Sequence, residues 1–167
     1  MNEFYRELYD NLVRGVEECE KKHTDFKQHI ECCFHICESA SLLVDKQLAS
    51  AGFSDEEEEI AFFKHIRPKF TSLVEFYSIV YRAELFLPET HADRVEFCKN
   101  ELQRAELFLD AHRDLHEYIK NEETFRDREF FLRSADGNAF QGDLIGQTTA
   151  RELYIELLHK KLGENGV

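Results

Sequence analysis

The densest grouping of reactive side chains is His29, Cys32, Cys33, His35 and Cys37, five soft metal ligands within nine residues. His29, Cys33 and Cys37 stand one helical turn apart, so a helix would present them on one face, where zinc chemistry is conceivable. A tetrahedral site, however, takes two close ligands from each of two segments, and no second Cys-x-x-Cys or His-x-x-x-His pair stands near Cys98. Buried cysteines act as small hydrophobes, so the cluster is read as core packing, with no metal and no cofactor assigned. His112 and His116 have the i, i+4 spacing of a helical zinc pair, but residue 113 is Arg where a metalloprotease motif needs Glu. Because both fall on an apolar stripe, they read as a polar layer of the core or as the lining of a ligand site. Arg126, Arg128 and Arg133, interleaved with Phe125, Phe130 and Phe131, are the nearest approach to a basic aromatic cluster and the candidate DNA contacts. Asp127 and Glu129 interrupt that run, and a short segment docking its phenylalanines while solvating its arginines is the simpler reading of it.

Machinery for catalysis is absent. No serine occupies a Gly-x-Ser-x-Gly elbow, and there is neither Gly-x-x-x-x-Gly-Lys nor Gly-x-Gly-x-x-Gly for phosphate. Carboxylate pairs discriminate nothing in a chain with 34 acidic residues. A non-enzymatic role is therefore expected.

The elements that must position these residues are helical. With 167 residues the chain is one domain's worth and buries enough surface for a single core. Seven glycines and two prolines leave few turns for an all-β domain, and 43% hydrophobic residues exclude disorder. A net charge of -13, with no segment in basic surplus, disfavours DNA binding by this chain alone. Five cysteines, three crowded into one helix, read as reduced intracellular thiols, and no apolar run approaches the ~20 residues of a membrane span. A cytoplasmic protein without membrane contact is expected.

Phe4, Leu8, Leu12 and Val16 draw the stripe of a first helix, ending near Lys22. Thr24 or Asp25 caps a second, which runs from Phe26 through Ile30, Cys33, Cys37, Ala40 and Val44 to Leu48 and stops at Gly52. Ser54 and Glu57 form a capping box ahead of an acidic first turn, and Arg67-Pro68 marks a boundary with a new helix behind it. That helix carries Phe70, Leu73, Val74, Tyr77, Val80, Tyr81 and Leu85 and ends before Pro88. Thr90 with Asp93 caps a long helix whose stripe passes through Val95, Cys98, Leu102, Ala105, Leu109, His112, His116 and Ile119. The stretch 134–148, with Gly137, Gly142 and Gly146, reads as a loop or hinge after a 1–133 bundle. Thr149 and Glu152 form a second capping box opening a terminal helix over 149–162. The expected fold is all-α, an antiparallel bundle of about five to seven helices.

The run Glu59-Ile60-Ala61-Phe62-Phe63-Lys64-His65-Ile66-Arg67-Pro68-Lys69-Phe70-Thr71-Ser72 resembles the signature of the RteC family, and Phe130-Phe131-Leu132-Arg133 resembles a later family element. The resemblance implies a transcriptional regulator, made under tetracycline-responsive control, that activates the excision genes of a conjugative transposon. It also implies a C-terminal DNA reader of helix-turn-helix type. The tryptophan-containing block expected there is missing, since the chain has no Trp. DNA is thus expected to be bound through a family C-terminal domain not evident here, with residues 149–162 as its connector. This chain itself would work by contact with a protein partner or a second copy. The alternatives are a small-ligand or metal-sensing bundle and a homo-oligomeric interaction module.

Overall fold

The computed structural model describes residues 2–121 and 133–164. Among them the chain is helical with no strand: α1 (Asn2–Lys22), α2 (Phe26–Ser50), the short α3 (Glu56–Ala61), a π-helical turn (Phe62–Ile66), α4 (Arg67–Leu85), α5 (His91–Asn121) and α6 (Ala135–Glu164). The all-α bundle is as expected.

Most helix ends follow from single residues. Asp25 accepts from the Gln28 N–H at the start of α2, and Gly52 at φ 61° ends it in a conformation that costs other residues a Cβ clash. The Thr90 hydroxyl accepts from the Asp93 N–H and donates to its carboxylate at 2.7 Å. One cap sits a residue away from the expected position: Asp55 accepts from the Glu58 N–H at 2.8 Å, while Ser54 Oγ donates to the Glu58 carboxylate instead of capping. Both residues are competent caps, and Asp55 has the extended backbone the position needs.

Arg67-Pro68 does not separate two helices. α3, the π-turn and α4 run on without a break, and the Arg67 N–H reaches back five residues to the Phe62 carbonyl. Pro68 explains the slip. It has no N–H for the carbonyl one turn earlier and its ring crowds that carbonyl, so the ladder widens by one residue just before it.

The core runs through Tyr5, Leu12, Val16 and Cys19 of α1, Ile30, Cys33, Cys37, Ala40 and Val44 of α2, Phe62, and Phe70, Tyr77 and Val80 of α4. On α1 the buried stripe is turned toward Tyr5, whose ring lies 4.3 Å from that of Phe62, and Phe4 is left 40% exposed. α1 and α2 form an antiparallel hairpin, with Gly15 against Ile36 and Val16 beside Cys33. α2 and α4 are antiparallel too: Phe53 packs on Phe62 at one end and Phe34 stacks on Tyr81 at the other, 4.2 Å between centroids.

The main departure is in 134–148, which is no loop. It is the first half of α6, capped by Ser134, whose hydroxyl accepts from the Gly137 N–H at 3.0 Å. Thr149 and Glu152 are accordingly mid-helix residues and not a cap, and the expected hinge between them and the bundle is replaced by helix. Glycine is a poor helix former in water, but here Gly137, Gly142 and Gly146 are buried, and contact with other helices compensates for the propensity lost.

Candidate functional site

Among the described residues, a close seam lies between α4, with the π-turn ahead of it, and α6. A Cβ on Gly142 would sit 2.5 Å from the Phe63 carbonyl oxygen, and one on Gly146 would sit 2.6 Å from Thr71 Cβ and 2.8 Å from the Pro68 carbonyl oxygen. Ala150, one turn further, is fully buried. This small-residue stripe at steps of four lets the two backbones approach, and the π-turn places the Phe63 carbonyl against it. Partners advance together along both helices, so the pair is parallel. Arg67 Nε lies 3.1 Å from Asp143, which also accepts from Thr71 at 3.2 Å; Arg151 pairs with Glu75 at 3.0 Å; Lys161 pairs with Glu84 at 2.6 Å.

α5 runs antiparallel along the other flank of α6. Tyr154 donates to Glu101 at 2.9 Å, and burial, then that carboxylate, push its hydroxyl pKa up. The Arg151 guanidinium lies 3.9 Å from the centre of the Phe108 ring, and Phe108 stacks on His112 at 3.8 Å. Glu75, Arg151, Phe108, His112 and Gln147 thus form one polar and aromatic track across α4, α5 and α6.

His112 ends the track beside a cleft of about 290 Å³ lined by His112, Arg113, Leu144, Ile145, Thr148, Thr149 and Glu152. Its Nδ1 lies 3.0 Å from the Phe108 carbonyl and its Nε2 lies 3.1 Å from the Gln147 side chain. A carbonyl only accepts, so Nδ1 carries the proton. The partner of Nε2 is the amide oxygen Oε1 of Gln147, which also only accepts, so the bond as placed is Nε2–H donating to Oε1, and a ring with Nε2 unprotonated needs the amide turned to present its NH2. Either way both nitrogens are occupied, which suits a polar layer and leaves no lone pair for a metal. His116 lies in α5, but its side chain is outside the described residues. The Thr148 hydroxyl in the cleft lining donates to the Leu144 carbonyl of its own helix at 2.8 Å.

The thiol cluster is dispersed. Cys33 and Cys37 are buried in the core, and burial raises their thiol pKa to about 11 and about 12, with the Tyr77 hydroxyl bonded to Cys33 partly opposing the first. His35 lies exposed, 3.8 Å from Glu31, and His29 lies 3.8 Å from Glu20. Cys32 is disulfide-bonded to Cys19, against the expectation of five reduced thiols. The crowding of three cysteines in one helix left out the fourth, which the α1–α2 hairpin brings opposite. No group of three or more His, Cys, Asp or Glu able to hold a metal occurs among the described residues. Of the arginine cluster, Arg126 and Arg128 lie outside the described residues, and Arg133 is exposed just ahead of the Ser134 cap. No helix among the described residues is long and apolar enough to cross a membrane.

A family model described as RteC protein matches residues 61–150, more than half of the chain. The chain belongs to the RteC family. The match spans the π-turn, α4, α5 and the first half of α6, and so contains Phe63, Arg67, Pro68, Thr71, Gly142, Asp143 and Gly146, the residues of the tight seam, together with His112 and Gln147. α1, α2 and all of α3 except Ala61 precede it. No curated protein and no solved structure matches the chain.

Sequence reasoning missed the seam. Its signal was present as Gly142-x-x-x-Gly146 followed by Ala150, a four-residue small stripe, and as Arg67, Thr71 and Glu75 at steps of four on the partner helix. Both are local patterns whose meaning depends on which helix lies opposite.

Proposed function

We propose that this RteC-family chain is a non-catalytic regulatory domain that controls excision and mobilisation genes of a tetracycline-resistance conjugative element through protein contact, with DNA read by a family C-terminal domain. The observation that carries the reading is the family match over the π-turn, α4, α5 and the first half of α6. Those elements form a closely packed seam suited to holding an attached domain or presenting a surface. The net charge of -13 supports the same division of labour, because acidic helices repel phosphates that a DNA-reading half must attract. The test is titration of this chain into labelled excision-promoter DNA at several salt concentrations. The proposal expects no sequence-specific binding; specific binding with a steep salt slope would move DNA reading onto this chain.

A second reading rests on the His112 cleft. Its volume is near the small end of ligand pockets, and it combines two aliphatic side chains with hydroxyls, an arginine and a carboxylate. In that reading the domain senses a small amphiphilic molecule. Thermal unfolding with added tetracycline tests it: a rise in Tm that His112→Ala abolishes supports ligand sensing, and no rise removes tetracycline as the ligand.

A further inference from the structure

We infer that Cys19 and Cys32 form a reversible redox pair that governs how firmly α1 is held on the bundle. The two residues lie on facing helices of the α1–α2 hairpin with Cα atoms 5.9 Å apart, within the separation a disulfide spans, and they are bonded. The two ends differ in access: Cys19 is 2% exposed, whereas Cys32 is half-buried. An attacking thiolate therefore meets Cys32 Sγ.

The neighbouring thiols keep the pair from scrambling. Cys33 follows Cys32 directly, but its sulfur points to the Val16 carbonyl and Tyr77, and Cys37 is buried one turn further along the same helix. In these apolar surroundings both stay protonated at neutral pH, and a thiol, unlike a thiolate, does not attack a disulfide. The cluster thus comprises one exchangeable bond and two inert thiols.

Reduction by a small dithiol balances simply. One reagent thiolate forms a bond to Cys32 Sγ as the Cys19–Cys32 bond breaks, and Cys19 leaves with the electron pair and takes a proton. The reagent's second thiol then displaces Cys32, leaving two protein thiols and one reagent disulfide. Two electrons and two protons have passed to the protein.

The consequence falls on α1, because this helix packs mainly on α2 and on the π-turn. Its other anchor is Tyr5, whose ring packs at a tilt against those of Phe62 and Phe53. Losing the cross-link leaves the helix held by side-chain packing alone, and Tyr5 lies against the π-turn that the α4–α6 seam uses. The redox state of two cysteines ahead of the family-matching region would thereby reach that region.

The full chain tests this in two steps. After equilibration in buffers of graded reduced-to-oxidised dithiothreitol ratio, free thiols are alkylated and the chain is digested. The inference expects a linked Cys19–Cys32 peptide in oxidising buffer, alkylated Cys33, Cys37 and Cys98 after denaturation, and all five cysteines alkylated in reducing buffer. Hydrogen exchange then compares both forms, with amides of residues 2–22 exchanging at least about tenfold faster on reduction. A Cys19→Ser/Cys32→Ser variant should show the fast exchange in either buffer. Five free thiols at every poise, a link involving Cys33, Cys37 or Cys98, or α1 exchange indifferent to reduction would each overturn it.

Discussion

Replacing Gly142 or Gly146 by alanine should destabilise the protein, the opposite of what a helix-interior glycine does elsewhere. In a solvated helix, Gly→Ala gains about 0.5–1 kcal/mol because alanine loses less backbone freedom on folding. Here the added carbon meets atoms that cannot rotate aside. At Gly142 it stands 2.5 Å from the Phe63 carbonyl oxygen, against an ordinary contact of 3.4 Å or more; at Gly146 it meets Thr71 Cβ at 2.6 Å and the Pro68 carbonyl oxygen at 2.8 Å. Relief requires α6 to retreat from α4 by most of an ångström, and such a gap forfeits a quarter to a half of each neighbouring dispersion contact. Overpacking of this kind costs about 1–3 kcal/mol, so after the propensity gain each variant should lose about 1–2 kcal/mol, or roughly 2–4 °C in Tm per kcal/mol. Urea unfolding followed by circular dichroism reads the loss as a lower midpoint at unchanged slope. The double variant should lose less than the sum, because the first separation makes room for the second carbon. Gly163→Ala is the internal control: nothing lies within 4 Å of its added carbon, and a gain of about 0.5 kcal/mol is expected. Seam variants as stable as the wild type would refute the close approach and, with it, the reason for the helix over 134–148.

Alkaline pH should weaken the fold from about pH 9 upward. Burial raises Cys33 and Cys37 to about 11 and 12 from an ordinary value of 9, and Tyr77 and Tyr154 above their ordinary value of 10. The unfolded chain then releases these protons at lower pH than the native one, so stability is intact below pH 9 and falls through the interval above it, whereas a flat urea midpoint between pH 8 and 11 would contradict the burial of these groups. Glu75→Gln and Arg151→Gln in a double-mutant cycle should show a coupling of about 1–2 kcal/mol, and Phe108→Leu should remove about 0.5–1 kcal/mol of the guanidinium–ring attraction; additive single losses would show the track to be uncoupled. Asp25→Ala and Asp55→Ala should each cost about 1 kcal/mol through lost caps, while Glu57→Ala stays within a few tenths, and the reverse order for Asp55 and Glu57 would restore the cap position first expected from the sequence.

Local chemistry was decided in the sequence. The spacing of Phe26, Ile30, Cys33, Cys37, Ala40 and Val44 can bury one face only as a helix, and Asp25, Gly52 and Thr90 end helices by bonds or backbone angles that need no distant partner. The family block around Phe62-Phe63 and Arg67-Pro68 was likewise legible, since it is a run of residue types. What the sequence did not decide was every feature whose sign depends on the neighbour across a seam. Gly142 and Gly146 describe a loop if solvent surrounds them and a helix if another backbone lies against them, and the π-turn and α4, more than 70 residues away, select the second. Cys19 is an ordinary stripe residue until the hairpin sets it 5.9 Å from Cys32. His112 reads as a ligand or a core residue until Phe108 and Gln147 occupy its two nitrogens. Hydrophobic period and capping are properties of one helix and survive without tertiary context, whereas close approach, disulfide pairing and the occupancy of an imidazole are properties of two, and only packing brings the second one in.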